Sequence, residues 1–402
     1  MRFSGHLFYF QTETCKAFCS DHLPAYDLRI LQLITRRQPR GAETFAMQLA
    51  GELTAAGHRI LVAALYAPRD ASLQIPAGVE FINLSDRQPS AVPHPDLLRK
   101  IAALVRREQV DLVQANASDN LKYAVLSRLL YRWKAPIVYR NASIMSAWIR
   151  SGLHRRIYGK LLRSVEAVAS VSHLSAADIK QHFGLPGDRV RRLGIAVHLP
   201  AEEASSPPPP ADVPPDDPDA YTVIHVGAFT AEKNHAGLLR IVALLRQRVD
   251  RPLRLWCVGN GPLLEDLQAA NTAPDVHYLG YRTDVERLLP LADLLLLPSL
   301  IEGTPGVVLE AQAHGIVPLA YRVGAMQECY PEELYEALTV PKGAEAELAE
   351  RAAGLLADPE RRAAYASRLR DFVAREYAMP AVTRGFEKLY AETIQTYRRG
   401  RD

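Results

Sequence analysis

β-rich apolar runs alternate with amphipathic helical segments along both halves of the chain. That alternation restricts the fold to parallel sheets covered by helices, because parallel strands need crossover connections that place helices on both sheet faces. In such doubly wound sheets, ligands sit outside the carboxyl ends of the strands. The halves are separated by EEASSPPPPADVPPDDPDA, from Glu202 to Ala220, which is Pro-rich, acidic and without an apolar face. It reads as a linker. The 402 residues exceed what one core usually holds, and 48% hydrophobic with 23% charged residues is ordinary globular material. The sequence predicts an α/β protein of two doubly wound, Rossmann-like domains, at 27–200 and 221–379, joined by a linker at 201–220 and facing across a cleft. Residues 1–26 form an N-terminal extension to which the sequence assigns no role.

Chemistry concentrates in SLIEGTPGVVLEAQAHG, residues 299–315. Thr304 suits an N-cap, Pro305 the first helical position and Gly315 the residue past the last turn, so a helix is expected from about 305 to 314. Its start, with free N–H groups near Thr304, Gly306 and Val307, is built to hold an anion such as a phosphate. Glu302 precedes the helix and Glu310 lies inside it, so the pair brackets a nucleotide sugar if Glu310 accepts from ribose hydroxyls and Glu302 from those of the sugar. The spacing alone describes two solvated glutamates better.

Context favours the first reading. In TVIHVGAFTAEKNHAGLLRIVALLRQR a β-rich run meets Gly227 and then a helical pattern opening near Asn234, a good N-cap. Lys233 stands at the mouth of that helix beside free backbone donors, a combination suited to a diphosphate.

The strand, Gly227, Lys233 at a helix start and the two-glutamate helix together resemble the nucleotide-sugar domain of retaining glycosyltransferases of the GT-B fold, specifically glycosyltransferase family 4. The resemblance extends over most of the chain. Residues 28–66 resemble the opening strand, loop and helix of that family's acceptor-side domain, with Gly41-Ala42-Glu43 where the family often has Gly-Gly-Ala-Glu and Arg40 in place of the first Gly. VGNGPLLEDL, with Gly259, and HYLGYRTDVERLLPLADLLLLPS, with Tyr281 and Arg282, resemble donor-domain strands, the latter near the nucleobase. The closing segment from Pro380 to Tyr397, within 380–402, resembles the helix that crosses back onto the first domain. Three departures stand out. Ala228 occupies the place of a diphosphate-binding Arg, Arg140-Asn141 that of a His, and Gly194-Ile195-Ala196-Val197 that of Asn-Gly-Val-Asp. On the acceptor side the resemblance points to Gly41, Arg140 and Asn141, with Arg140 available for a phosphate contact.

The resemblance implies transfer of a sugar, with retention, from a nucleotide diphosphate sugar to a glycan or lipid-linked acceptor, in cell-surface polysaccharide or glycolipid synthesis. The leaving diphosphate is already anionic, so Lys233 and the helix start suffice to stabilise it, and neither a metal nor another cofactor is expected. Lys233 and Glu302 are the expected catalytic pair. Two alternatives stay open: a sugar-nucleotide epimerase of the same fold and a non-catalytic sugar-nucleotide-binding protein.

Other classes have little footing. Gly259-Asn-Gly261 lacks the third glycine of a dinucleotide fingerprint, where Leu264 stands. Asp217-Pro-Asp219 carries the letters of an Asp-x-Asp metal motif but lies in the linker, and Cys15 and Cys19 with His22 match no common zinc spacing. Apolar runs are shorter than the ~20 residues of a spanning helix and no signal-peptide stretch is visible, so a cytoplasmic protein is expected. Charge divides unevenly: residues 1–200 hold 27 basic and 15 acidic side chains, the remainder 21 and 30. Part of the basic excess lies in IRSGLHRRIYGKLLRS, where Arg150, Arg155, Arg156, Lys160 and Arg163 alternate with apolar residues. It reads either as a core-packed helix with a solvated face or as a segment lying on an anionic leaflet, the inner face of the membrane. The basic half lacks aromatic stacking motifs, so no nucleic acid is expected.

Overall fold

The computed structural model describes residues 27–400 apart from 39–40, 69–72, 90–91, 150, 201–209, 211, 215–216 and 272. The Cys15, Cys19 and His22 group, Arg40, Arg150 and most of the Pro-rich linker therefore lie outside the described residues. The first sheet has seven parallel strands: β1 (Arg29–Ile34), β2 (Arg59–Ala64), β3 (Glu80–Asn83), β4 (Leu112–Ala115), β5 (Ile137–Asn141), β6 (Ala167–Ser170) and β7 (Val190–Arg192), in the order β3-β2-β1-β4-β5-β6-β7. The second has six: β8 (Tyr221–Val226), β9 (Leu253–Val258), β10 (Val276–Gly280), β11 (Leu294–Leu297), β12 (Val317–Tyr321) and β13 (Thr339–Val340), in the order β10-β9-β8-β11-β12-β13.

Central strands such as β11, LLLL, are apolar at successive positions and buried throughout, as sheets covered on both faces require. The edge strand β3, EFIN, is half-exposed and carries Glu80, a charge that blunts edge-to-edge pairing. Strand order reverses between β1 and β4 in one sheet and between β8 and β11 in the other, which opens a crevice beyond each pair of carboxyl ends.

The last helix, Met379–Arg399, starts at the second domain and finishes the core of the first. Val382, Phe386, Leu389 and Ile394 pack with Ile30, Phe45, Leu49 and Ile60, and the Phe45 and Phe386 rings lie 5.7 Å apart. Full burial of a side chain such as Phe386 contributes about 1.5–3 kcal/mol. Where the chain leaves and re-enters the first domain, the Val197 N–H donates to the Tyr377 carbonyl at 2.9 Å and the Met379 N–H to the Val197 carbonyl at 3.0 Å. A second tie joins the lobes. The Glu328 carboxylate accepts from the N–H groups of His173 (2.8 Å) and Leu174 (3.3 Å), at the positive end of the helix His173–Phe183.

Candidate active site

The loop after β8 is built by three local constraints. Asn234 adopts the left-handed region (φ 56°) and its Oδ1 accepts from the Gly237 N–H at 3.2 Å, capping the helix His235–Arg246. Its Nδ2 donates to the Pro298 carbonyl at 3.0 Å, and the Leu300 N–H donates to the Glu232 carbonyl at 2.7 Å. These two bonds stitch the Lys233 loop to the segment leaving β11. Their consequence is chemical: Lys233 Nζ donates to Glu302 Oε1 at 2.6 Å. The ammonium keeps 24% of its side-chain surface open and the carboxylate only 7%, so the cation is the accessible member.

Glycines make the close approaches possible. A Cβ on Gly259 (φ 142°) would lie 2.0 Å from the Gly227 carbonyl oxygen, so the loop after β9 backs directly onto the loop after β8. A Cβ on Gly324 (φ 57°) would lie 2.0 Å from the Glu302 carbonyl oxygen, and the neighbouring Ala325 N–H donates to the Gly303 carbonyl at 2.9 Å. The segment bearing Glu302 is thereby clamped from both sides.

The two-glutamate helix runs Gly306–Ala313. Pro305, not Thr304, is its N-cap, with ψ 100° and no side-chain cap bond. The one-residue shift leaves the Thr304 hydroxyl outside the cap, buried and without a partner among the described residues. Gly306 and Val307 open the helix, while Gly315 (φ 76°) takes the left-handed position just beyond His314. Glu310 turns back toward the helix start, 3.6 Å from where a Gly306 Cβ would stand, and Ile195 of the interdomain segment closes the other side at 3.7 Å. Its residue surface is open to solvent, yet protein on several sides of the crevice desolvates the carboxyl and raises its pKa, with Glu286 adding to the effect.

Two of the expected nucleobase-side residues separate. Tyr281 is exposed. Arg282 is not a free cation: Asp284 takes its Nε and Nη2 at 2.8 Å each, and Asp212 takes Nη1 at 2.6 Å. On the first domain, Gly41 begins the helix Gly41–Ala55 with open space where a side chain would stand. Arg140 and Asn141 end β5, both buried. Asn141 is occupied internally, its Nδ2 reaching the Ser170 hydroxyl at 3.5 Å and the Ser175 carbonyl at 3.4 Å. Asp217 of the Asp-x-Asp letters is paired with Arg254.

The sequence reading passed over the histidines beneath Lys233. His225 Nδ1 donates to the Leu296 carbonyl at 2.8 Å, and His235 stacks on Phe229 with ring centroids 3.9 Å apart. Burial pushes His225 down to about 3 and His235 to about 4, aided for His225 by His235 and for both by the Lys233 ammonium. Both are therefore neutral at neutral pH, and Lys233 is the local positive charge they frame.

Comparison with known proteins agrees with this architecture. Residues 39–199 match the family model described as Glycosyltransferase Family 4, and residues 220–358 match Glycosyl transferases group 1. The chain is 25% identical to the lipopolysaccharide core biosynthesis glycosyltransferase LpsD of Rhizobium meliloti (strain 1021), over 66% of this chain and 80% of that protein. It is 27% identical to N-acetyl-alpha-D-glucosaminyl L-malate synthase of Bacillus anthracis, over 44% of this chain and 47% of that one. The chain spans a quarter to a half of the length of the first curated relatives it matches. Among solved structures, Anabaena Alr3699/HepE in complex with UDP superposes with a TM-score of 0.73 at 20% identity, covering 91% of this chain and 100% of that one.

Proposed function

Both halves of this chain follow the GT-B plan of glycosyltransferases, and on that premise we propose that it moves a sugar, with retention, from a nucleotide diphosphate sugar to a glycan or lipid-linked acceptor, in cell-surface polysaccharide or glycolipid synthesis. The observation that carries the reading is the accessible Lys233 ammonium held 2.6 Å from Glu302, in the loop that leads into the Gly306 helix. The UDP of the Anabaena structure and the polysaccharide setting named for LpsD support it. In the reaction, the bond from the anomeric carbon to the diphosphate oxygen breaks and a bond to the acceptor oxygen forms. The acceptor's proton passes to the departing phosphate oxygen. Lys233 and the Gly306 and Val307 amides stabilise the charge that gathers on the leaving group, while Glu302 and Glu310 accept from sugar and ribose hydroxyls. A metal has no task in this scheme, since the ammonium and the helix start supply the positive field.

A thermal-shift panel of uridine, guanosine and adenosine diphosphate sugars, run with EDTA, tests the proposal. One donor at 100 times its dissociation constant should raise the melting temperature by about 5–10 °C, and product should require an acceptor. Silence toward every donor rejects the reading. Conversion of a donor without any acceptor identifies an epimerase instead, and stabilisation without turnover a binding protein.

Membrane attachment rests on a separate observation. The helix Gly152–Arg163 buries Gly159, Leu161 and Leu162 but exposes Leu153 and Ile157 together with Arg155 and Arg156. Among the described residues its opening turns thus present an uncovered apolar and basic face, suited to the anionic inner leaflet. No described helix is long and apolar enough to cross a membrane. Sedimentation with phosphatidylglycerol vesicles but not with phosphatidylcholine vesicles is expected, and Leu153→Ser with Ile157→Ser should abolish it. Equal binding to both vesicle types disproves the attachment.

A further inference from the structure

Two of the N–H groups that open the first-domain helix His173–Phe183 find their acceptor on the other domain. Ser172 and Ser175 form a capping box: Ser172 Oγ accepts from the Ser175 N–H at 3.0 Å, and the Ser175 hydroxyl accepts from the Ser172 N–H at 3.1 Å. The His173 and Leu174 N–H groups, at the first and second helical positions, have no acceptor within the helix. Both donate to Glu328 of the second domain, one to each carboxylate oxygen, at 2.8 and 3.3 Å. These bonds are charge-assisted and lie at the positive end of the helix dipole. Beside them, Arg192 at the end of β7 donates to the Tyr377 hydroxyl at 2.6 Å, and that hydroxyl donates to the Glu328 carbonyl.

Glu328 is also joined to both glutamates of the candidate site. It belongs to the one-turn helix Met326–Cys329, anchored by the fully buried Met326 and Cys329. Just before that turn, the Ala325 N–H donates to the Gly303 carbonyl, next to Glu302, at 2.9 Å. At its end, the Cys329 carbonyl accepts from Gln312 Nε2 at 2.9 Å, and Gln312 is buried on the Gly306 helix that carries Glu310. One block therefore carries Glu302, Glu310 and Glu328. On the opposite side of the contact, the Ser175 carbonyl accepts from Asn141 Nδ2 at 3.4 Å, at the carboxyl end of β5. The Glu328 carboxylate thus links the site glutamates to strand ends of the first domain.

We infer that Glu328 is a positioning residue: it sets the first domain over the Lys233 and Glu302 site and so aligns the acceptor oxygen with the anomeric carbon. The role rests on the transfer reaction proposed above. Relative motion is the default for two domains unless a large apolar interface holds them, and misplacing a reacting group by about 1 Å costs about 10²-fold in rate. Lys233 and the Gly306 and Val307 amides all lie on the second domain. Loss of the tie should therefore spare binding of the nucleoside diphosphate and damage transfer.

Glu328→Ala and His173→Pro attack the tie from its two sides. Proline suits the first helical position, and Ser172 (φ −148°, ψ 162°) already has the extended backbone that a following proline needs. With the nucleotide sugar selected by the thermal panel and octyl glycosides as acceptors, kcat for transfer should fall about tenfold or more in Glu328→Ala and severalfold in His173→Pro. The dissociation constant of that donor's free nucleoside diphosphate should stay within about twofold of wild type. Hydrolysis of the donor by water, which needs no aligned acceptor, should fall less than transfer does. Glu328→Gln keeps one acceptor oxygen and should recover part of the loss; it replaces the alanine variant if that one does not fold. Hydrogen exchange at the Leu174 amide should quicken about tenfold or more in Glu328→Ala. Wild-type transfer rates in Glu328→Ala overturn the role, as do unchanged Leu174 exchange, diphosphate affinity lost in step with kcat, and hydrolysis falling as far as transfer. A wild type that never turns over a donor refutes the transfer reading and this role with it, whereas an active wild type matched by both variants refutes the role alone.

Discussion

Replacing Lys233 by alanine is expected to lower kcat/KM by about 10²–10³, corresponding to ~2.7–4 kcal/mol of lost transition-state stabilisation. The expectation follows from where the ammonium sits. It is the more accessible member of its pair, it lies beside a capped helix start, and the histidines below it are held neutral by burial. Beside Gly227, where the family resemblance would place a second cation, stands Ala228. Lys233→Ala should also abolish stabilisation by a nucleoside diphosphate, whereas Glu302→Gln should act oppositely on that readout. With the carboxylate neutralised, the ammonium no longer divides itself between Glu302 and phosphate, so UDP should bind several-fold tighter while turnover of the sugar donor falls. Isothermal titration with UDP and steady-state kinetics on both variants measure the split. Equal losses of UDP affinity in both would sink the division of labour, and unchanged kcat/KM in Lys233→Ala would remove this loop from the chemistry.

What was legible in the sequence was local. β11 and its neighbours could be read because strands buried on both faces must be apolar at successive positions, and the helix after Lys233 because a capping Asn precedes an apolar periodic run. The start of the Gly306 helix was misplaced by one residue, since Thr304 and Pro305 each satisfy a helix-start preference and only the backbone of Pro305, at ψ 100°, shows which residue is the cap. Arg282 was placed only near the nucleobase; Asp284, two residues on, takes its Nε and Nη2, and Asp212, 70 residues away inside the stretch that reads as linker, takes Nη1, a pairing that the sequence does not announce. The Glu328 clamp was invisible for the same reason: its carboxylate meets the His173 N–H from 155 residues away, and nothing in the composition around either residue marks the pairing. The Lys233–Glu302 pair, 69 residues apart, was anticipated only as two residues serving one ligand. Their direct contact depends on the bonds from Asn234 to Pro298 and from Leu300 to Glu232, which depend in turn on the adjacency of β8 and β11.

Gly324→Ala should produce a large effect for a single added methyl group. The residue sits at φ 57°, where a non-glycine costs about 1–2 kcal/mol, and the new Cβ would stand 2.0 Å from the Glu302 carbonyl oxygen and 2.9 Å from that of Gly303. Both obstacles are backbone, so neither yields by a rotamer change. The Glu302 segment must retreat, breaking the 2.9 Å bond from Ala325 to Gly303 and pulling the carboxylate from Lys233. A loss of about 2–5 kcal/mol is expected, lowering the melting temperature of a domain this size by roughly 5–15 °C, with activity lost even below the transition. Gly343→Ala isolates the conformational part of the penalty. That residue also has positive φ, 88°, but nothing lies within 4 Å of its Cβ position, so it should cost only the ~1–2 kcal/mol of the backbone preference and leave activity intact. If the two substitutions lower the melting temperature equally and both spare turnover, the contact of Gly324 with Glu302 does not hold the carboxylate in place, and the clamp on the site must come from the Asn234 and Leu300 bonds alone.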